Sequence, residues 1–238
     1  MPAAGRREAT SDLLEEDDML DNFTWYKQSA YKWQGDGITL YIDPWGVTKG
    51  EDAPADVIFI THAHFDHFQP EEIDKIRKPK TQIVAPHDIA RELGGHVKAV
   101  KPGESLEVAG IKVETVVAYN THPEKLENHP RSNNWVGYIL KLGDHRYYHA
   151  GDTDPAPELL QLKTDVAFVP IGDTYTMGAL EAAGFIKKIR PQLAVPMHYG
   201  FVVGTPADAD TFARECAPVK VQTLTPVHGF EKEPATKD

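Results

Sequence analysis

Residues 57–67 read VIFITHAHFDH. An apolar run suited to the interior of a buried strand stops at Thr61, and three histidines and one aspartate follow within the six residues from His62 to His67. A strand ending in a sharp loop can aim His62 and His64 at one point and carry Asp66 and His67 on toward a neighbouring one. Imidazole and carboxylate are the donor types that suit zinc, iron or manganese. A lone histidine is more often a satisfied core or surface residue, but four such ligands at this spacing point to a metal site.

On either side of this motif the chain breaks into short β-rich runs separated by Gly, Pro and Asp. They are TLYID (39–43), QIVAP (82–86), IKVETVVAY (111–119), WVGYILKL (135–142), RYYHA (146–150), DVAFVP (165–170), LAVPM (193–197) and VQTLT (221–225). Helical spacing of apolar residues lies between some of them, at 70–77, 88–94, 177–189 and 207–216. Asp88 and Thr176 are the expected starts of the second and third helices. The strands before about residue 150 follow one another too closely for a purely parallel sheet. Two mixed sheets packed together with helices outside, an α+β layout, are the better match.

The chain has 238 residues, 41% of them hydrophobic, which suits one large core. The expected organisation is a flexible acidic tail over 1–22, containing Glu15, Glu16, Asp17 and Asp18, and a single domain over 23–238. Twenty-five Lys and Arg against 36 Asp and Glu leave a formal charge of −11, which argues against nucleic acid as a partner. Cys216 is the single cysteine, so no intrachain disulfide forms. With no apolar run of secretory or membrane-spanning length, the expected location is cytoplasmic and no membrane partner is expected.

The H-x-H-x-D-H motif after a hydrophobic strand resembles the metallo-β-lactamase superfamily. Later elements extend the resemblance: YYHAGDTD supplies Asp152 at the position of that family's fourth motif, and AVPMHYG supplies His198 at the fifth. The stretches YIDPW, GDTD and TMGALEAAGFIKKIRPQLAVPMHYG are similar to the branch of ascorbate-6-phosphate lactonase-like hydrolases. The resemblance covers roughly residues 23–228 and implies a four-layer αββα sandwich. It also implies two divalent metal ions, zinc first with Mn2+ or Fe2+ as alternatives. The third motif departs from the pattern: the strand ends in Asn120 where many relatives place a histidine, and His122 and His129 both follow. A histidine just before proline favours His129, with His122 as its rival.

By this resemblance His62, His64 and the loop histidine hold one metal, Asp66, His67 and His198 hold the other, and Asp152 bridges. Asp66 and Asp152 are then the candidate catalytic residues. Two such cations ionise a shared water, and hydroxide becomes the nucleophile. Asp43 reads either as an outer partner of a ligating histidine or as a turn former before Pro44. Gly151 is expected to let the chain turn tightly so that Asp152 reaches the metals.

Asn120 and Tyr119 read as donors to a developing oxyanion or as strand-end turn residues. Arg131 reads as a partner for an anionic substrate group, and Tyr175 as a residue of the entrance or of the packed surface. His149 is expected to point away from the site, and His87, His96, His145 and His228 to be exposed. Trp25, Tyr26, Tyr31 and Trp33 read as a cap on a sheet or as an interface in a homo-oligomer. The resulting expectation is a hydrolase of a small ester, lactone or phosphate-containing molecule. The alternatives are a phosphodiesterase or nuclease on the same centre, and a metal-binding protein without turnover.

Overall fold

The structure is a computed structural model and describes residues 19–95 and 97–230. Its first sheet has six strands in chain order: β1 (Phe23–Trp25), β2 (Tyr31–Gly35), β3 (Ile38–Ile42), β4 (Ala55–Phe59), β5 (Arg77–Pro86) and β6 (Val97–Val100). The second has seven, ordered β13-β12-β11-β10-β9-β8-β7. They are β7 (Ser105–Val108), β8 (Ile111–Val117), β9 (Val136–Leu142), β10 (His145–His149), β11 (Val166–Pro170), β12 (Leu193–Met197) and β13 (Lys220–Val221). Both sheets are mixed, since β3 to β6 pair in parallel after two antiparallel ladders and β10 to β13 pair in parallel after three.

The sheets pack face to face through aromatic side chains. Phe168 of β11 meets Phe23 at 5.1 Å and Tyr31 at 4.8 Å between ring centroids, and Phe59 of β4 meets Tyr138 of β9 at 5.1 Å. The Tyr138 hydroxyl, buried at this interface, donates to the Ile60 carbonyl at 2.8 Å and so joins the sheets by a polar bond as well. Helix α2 (His87–Leu93) packs on β5 and β6, while α3 (Ala179–Ile189) packs on β11 and carries α4 (Pro206–Glu215). Ala182, Ala183, Phe185, Ile186 and Ile189 of α3 are buried, the stripe expected of a helix covering a sheet. The result is the expected αββα sandwich. No described helix is long and apolar enough to cross a membrane.

Several boundaries differ from expectation. The strands β1, β2, β6 and β7 have no counterpart in the pattern reading, because short strands with few alternating positions carry little periodic signal. The run at 221–225 is strand only at its first residue. Helix α3 starts after Gly178 instead of Thr176, since Gly172 and Gly178 form a bridge that keeps the intervening segment a closed turn. Most of the acidic tail lies outside the described residues, as does His96. Met19 and Leu20, assigned to that tail, are instead buried in the core. Trp25, Tyr26, Tyr31 and Trp33 are all buried within the chain, which leaves their rings to the sheet packing and not to a second subunit.

Candidate metal centre

The parallel direction of neighbouring strands brings the ends that matter to one edge of the sandwich. Residues 60–69 form the loop between β4 and helix α1 (Pro70–Ile76), and they carry His62, His64, Asp66 and His67. His129 sits in the loop between β8 and β9, Asp152 follows β10, and His198 follows β12. Because β9 is antiparallel to both β8 and β10, the carboxyl ends of β8, β10 and β12 share that edge.

Seven side chains from these four segments converge. Asp152 Oδ2 lies 3.0 Å from His198 Nε2, 3.3 Å from His129 Nε2 and 3.8 Å from His62 Nε2, while its Oδ1 lies 3.3 Å from His67 Nε2. Asp66 Oδ2 is 3.3 Å from His198 Nε2 and 3.6 Å from His67 Nε2. Two ligand sets result: His62, His64, His129 and Asp152 in one, and Asp66, His67 and His198 in the other, with donor atoms within 4.8 Å of each other in each set. The structure brings His129 into the cluster. His122 stands apart, its Nε2 2.7 Å from Glu181 Oε1 and its side chain 41% exposed.

Neighbouring groups decide which nitrogen of each ring faces inward. His67 Nδ1 lies 2.7 Å from Asp43 Oδ2, and His129 Nδ1 lies 2.7 Å from Asn120 Oδ1. An oxygen that only accepts requires a proton on Nδ1, so Nε2 is in each case the nitrogen turned toward the cluster and the one available to bind there when the ring is neutral. Asp43 also accepts the Thr61 N–H and hydroxyl, at 2.8 and 2.6 Å, and thereby ties the end of β3 to the start of the motif. Its two readings are compatible, because Asp43 turns the chain at φ 47° and holds His67 as well. His67 Nε2, His129 Nε2 and Asp152 Oδ1 are buried without a hydrogen-bond partner. Orphaned polar atoms of this kind cost about 1–3 kcal/mol each unless something fills the space between them. A divalent cation at each set would do so, and the donors fit one chemically.

The charge distribution has the same character. Burial, reinforced by His67, holds His62 well below the usual imidazole range, and burial with His129 takes His64 down to about 4. Burial acts against protonation of His67 and His198 too. There the carboxylates prevail: Asp152, Asp66 and Asp43 raise His67 well above its ordinary value, and Asp152 with Asp66 raises His198 to about 9. Burial opposes ionisation of Asp152 in turn, yet His198 and His67 keep its carboxyl well below the usual range.

Two glycines make the close approaches. Gly151 has φ +62°, and a Cβ there would stand 3.0 Å from Thr61 Cβ. A Cβ on Gly172 would fall 2.4 Å from the His198 carbonyl oxygen. His198 itself is left-handed at φ 59°, its N–H donating to the Gln28 carbonyl at 3.0 Å.

Other expected site residues are placed differently. Asn120 is buried, its oxygen on His129 and one N–H of its amide donating to the Tyr175 carbonyl at 2.9 Å, which fixes it beside the His129 ring. Arg131 is 68% exposed and lies 2.6 Å from Glu158, with its guanidinium over the Tyr119 ring. The Tyr119 hydroxyl donates to the same Glu158. The Tyr175 side chain is exposed. His149 turns away, its Nε2 2.9 Å from the Ser29 carbonyl. His228, expected to be exposed, is partly buried with Nε2 2.6 Å from the Gly46 carbonyl.

In the sequence Trp135 marks only the start of the strand run 135–142. Its indole borders His62 and His64 at 5.1 Å and His129 at 5.8 Å, and its N–H donates to Asp88 at 2.7 Å. No local sequence signal marks this role, because it depends on which loops meet.

A model of the beta-lactamase superfamily domain matches residues 22–198, a span that ends on His198. The chain is 33% identical over 182 residues to a UPF0173 metal-dependent hydrolase of Thermococcus kodakarensis, covering 72% of this chain and 79% of the relative. It is 31% identical over 227 residues to a UPF0173 protein of Pyrococcus abyssi, covering 87% and 98%. Among solved structures, a candidate metal-dependent hydrolase from Parabacteroides distasonis superposes with a TM-score of 0.76 at 32% identity, over 84% of this chain and 91% of that one.

Proposed function

The chain belongs to the beta-lactamase superfamily and, within it, to the UPF0173 family of metal-dependent hydrolases, and on that premise we propose that it cleaves a small ester, lactone or phosphate-containing substrate in the cytoplasm. His62, His64 and His129 hold one divalent cation in this reading, and Asp66, His67 and His198 the other, zinc being the first choice. Asp152 joins the two. The observation that carries it is the position of Asp152, whose oxygens lie 3.0–3.3 Å from His198, His129 and His67, members of both sets. When bound, a cation pair lowers the pKa of a shared water toward neutrality and opposes the charge that builds on an attacked carbonyl or phosphoryl oxygen.

The chain's own residues do the rest. Asp43 and Asn120 keep the Nδ1 protons of His67 and His129 outward, so that both rings bind through Nε2. Trp135 closes one side of the cluster and lowers the local dielectric, which strengthens every charge interaction inside. Asp66 and Asp152, the candidate catalytic carboxylates, would supply the anionic oxygens that hold the cations among the imidazoles. The preference for a lactone or phosphorylated substrate rests on the likeness of YIDPW, GDTD and the 176–200 run to the ascorbate-6-phosphate lactonase-like branch.

Protein purified without added metal should contain close to two equivalents of metal by elemental analysis. It should turn over members of a panel of lactones, esters, phosphomonoesters and phosphodiesters. Asp152→Asn should lower that activity by on the order of a hundredfold or more, given that even an outer partner costs about 10–100-fold. Metal-loaded protein that leaves the whole panel intact would remove the reading.

A further inference from the structure

Away from the cluster around Asp152, the described residues bring together one more set of ligand-type side chains. His122 Nε2 lies 2.7 Å from Glu181 Oε1, and a carboxylate oxygen of Asp154 lies with them inside a 4.8 Å span. Three separate segments supply these groups: the loop after β8, the loop after β10 and the first turn of α3. Asp154 is fully buried. Its Oδ2 accepts the backbone N–H of Thr121 at 2.7 Å and of His122 at 3.1 Å, which sets the carboxylate's position from the loop it faces. Its Oδ1 is buried and has no partner. Two carboxylates at this distance repel unless positive charge lies between them, and His122 contributes one charge at most.

We infer that His122, Asp154 and Glu181 form a third divalent-cation site, sharing no side chain with the centre at Asp152. One imidazole nitrogen and two carboxylate oxygens suit Mn2+ or Zn2+, and a dication balances the two carboxylates while leaving the imidazole neutral. The side chains of His122 and Glu181 are 41% and 29% exposed, so water has access to the remaining coordination positions. The burial of Asp154 gives the cation one fixed ligand, which the two more exposed side chains complete. Its effect is mechanical. A cation here pins the loop that begins with Asn120 and leads to His129 against helix α3, and that loop supplies one wall of the neighbouring centre.

The test uses the full-length protein loaded with zinc, dialysed, and then titrated with Mn2+ while zinc and manganese per chain are counted by elemental analysis and free Mn2+ is followed by electron paramagnetic resonance. Wild type should hold one ion more than the Asp152 centre accounts for. At the Mn2+ concentration that half-fills this site, Glu181→Gln and His122→Asn should each leave it less than about a tenth filled, a tenfold loss being the least that removing even an outer partner costs a metal site. Retained zinc, unchanged in both variants, shows that they are folded and that the main centre is intact. His64→Ala, which strikes the main centre, should lower the retained zinc and leave the extra ion in place, so failure of one site is distinguishable from failure of the other. No additional ion in wild type, or an additional ion whose affinity either variant leaves within tenfold, overturns the proposal.

Discussion

Two hydrogen bonds choose the nitrogen that His67 and His129 turn toward Asp152, and each comes from a residue outside the ligand set: Asp43 in one case, Asn120 in the other. Removing either should weaken metal binding without abolishing it. Asn120→Ala and Asp43→Ala are expected to lower zinc affinity by about 10–100-fold, measured by competition with a chromophoric chelator. Affinities unchanged within a factor of two would show that the rings hold their orientation by packing alone. Protonation gives a second expectation at this scale. His198 is raised in the folded protein to about 9 from an ordinary 6.5, so the stability it contributes is complete below 6.5 and disappears as pH rises through 9. His64 is lowered to about 4, so its contribution is complete above 6.5 and disappears as pH falls toward 4. His67 acts in the direction of His198, and His62 in the direction of His64. Chelator-treated protein should therefore melt highest near pH 6.5 and lose Tm on both sides. Bound metal requires His198 deprotonated, so loaded protein should lose the alkaline limb. A metal-free Tm that climbs from pH 6.5 to 9 would contradict the charge distribution described for the cluster.

At the level of elements, the ligand loops depend on backbone contacts that admit no side chain. Gly172→Ala places a Cβ 2.4 Å from the His198 carbonyl oxygen, a clash with backbone that a rotamer change cannot relieve. The turn after β12 must shift, at about 1–3 kcal/mol of stability by denaturant unfolding, and the Asp66, His67 and His198 set should lose zinc affinity with it. A variant with wild-type stability and affinity would mean that this turn has slack the geometry does not show. Helix α4 offers a contrasting case, since it carries none of the seven clustered side chains. Its capping box pairs Thr205 with Asp208, whose carboxylate accepts the Thr205 N–H at 2.7 Å. Asp208→Ala should cost about 0.3–1.5 kcal/mol while zinc content stays as in wild type. These two substitutions separate elements that aim ligands from elements that only add stability.

For the whole molecule, the candidate metal centre is a product of the seam between two sheets. Tyr138 spans that seam, its hydroxyl buried on the Ile60 carbonyl directly before the HxHxDH loop. Tyr138→Phe leaves that carbonyl unsatisfied and should cost about 1–3 kcal/mol, read from the midpoint of a single unfolding transition followed by both fluorescence and circular dichroism. Separate transitions by the two probes would mean that the sheets unfold independently. Much of this architecture is legible along the chain. The apolar run before Thr61 and the spacing of His62, His64, Asp66 and His67 already mark a buried strand feeding a metal-binding loop, because strand burial and ligand chemistry are properties of adjacent residues. Asp152 and His198 are reachable by the same logic, each following a hydrophobic strand. The choice between His122 and His129 is of another kind, as are the partnership of Asn120 with His129, the engagement of Arg131 by Glu158 and the place of Trp135 beside three imidazoles. Each of these depends on where a loop lands after some ten residues without regular pairing, and hydrogen bonds to distant segments decide that position. Donor types and strand ends were therefore determined by the sequence itself, while which histidine completes the cluster, and which groups orient it, was decided by tertiary structure, through contacts that no local pattern encodes.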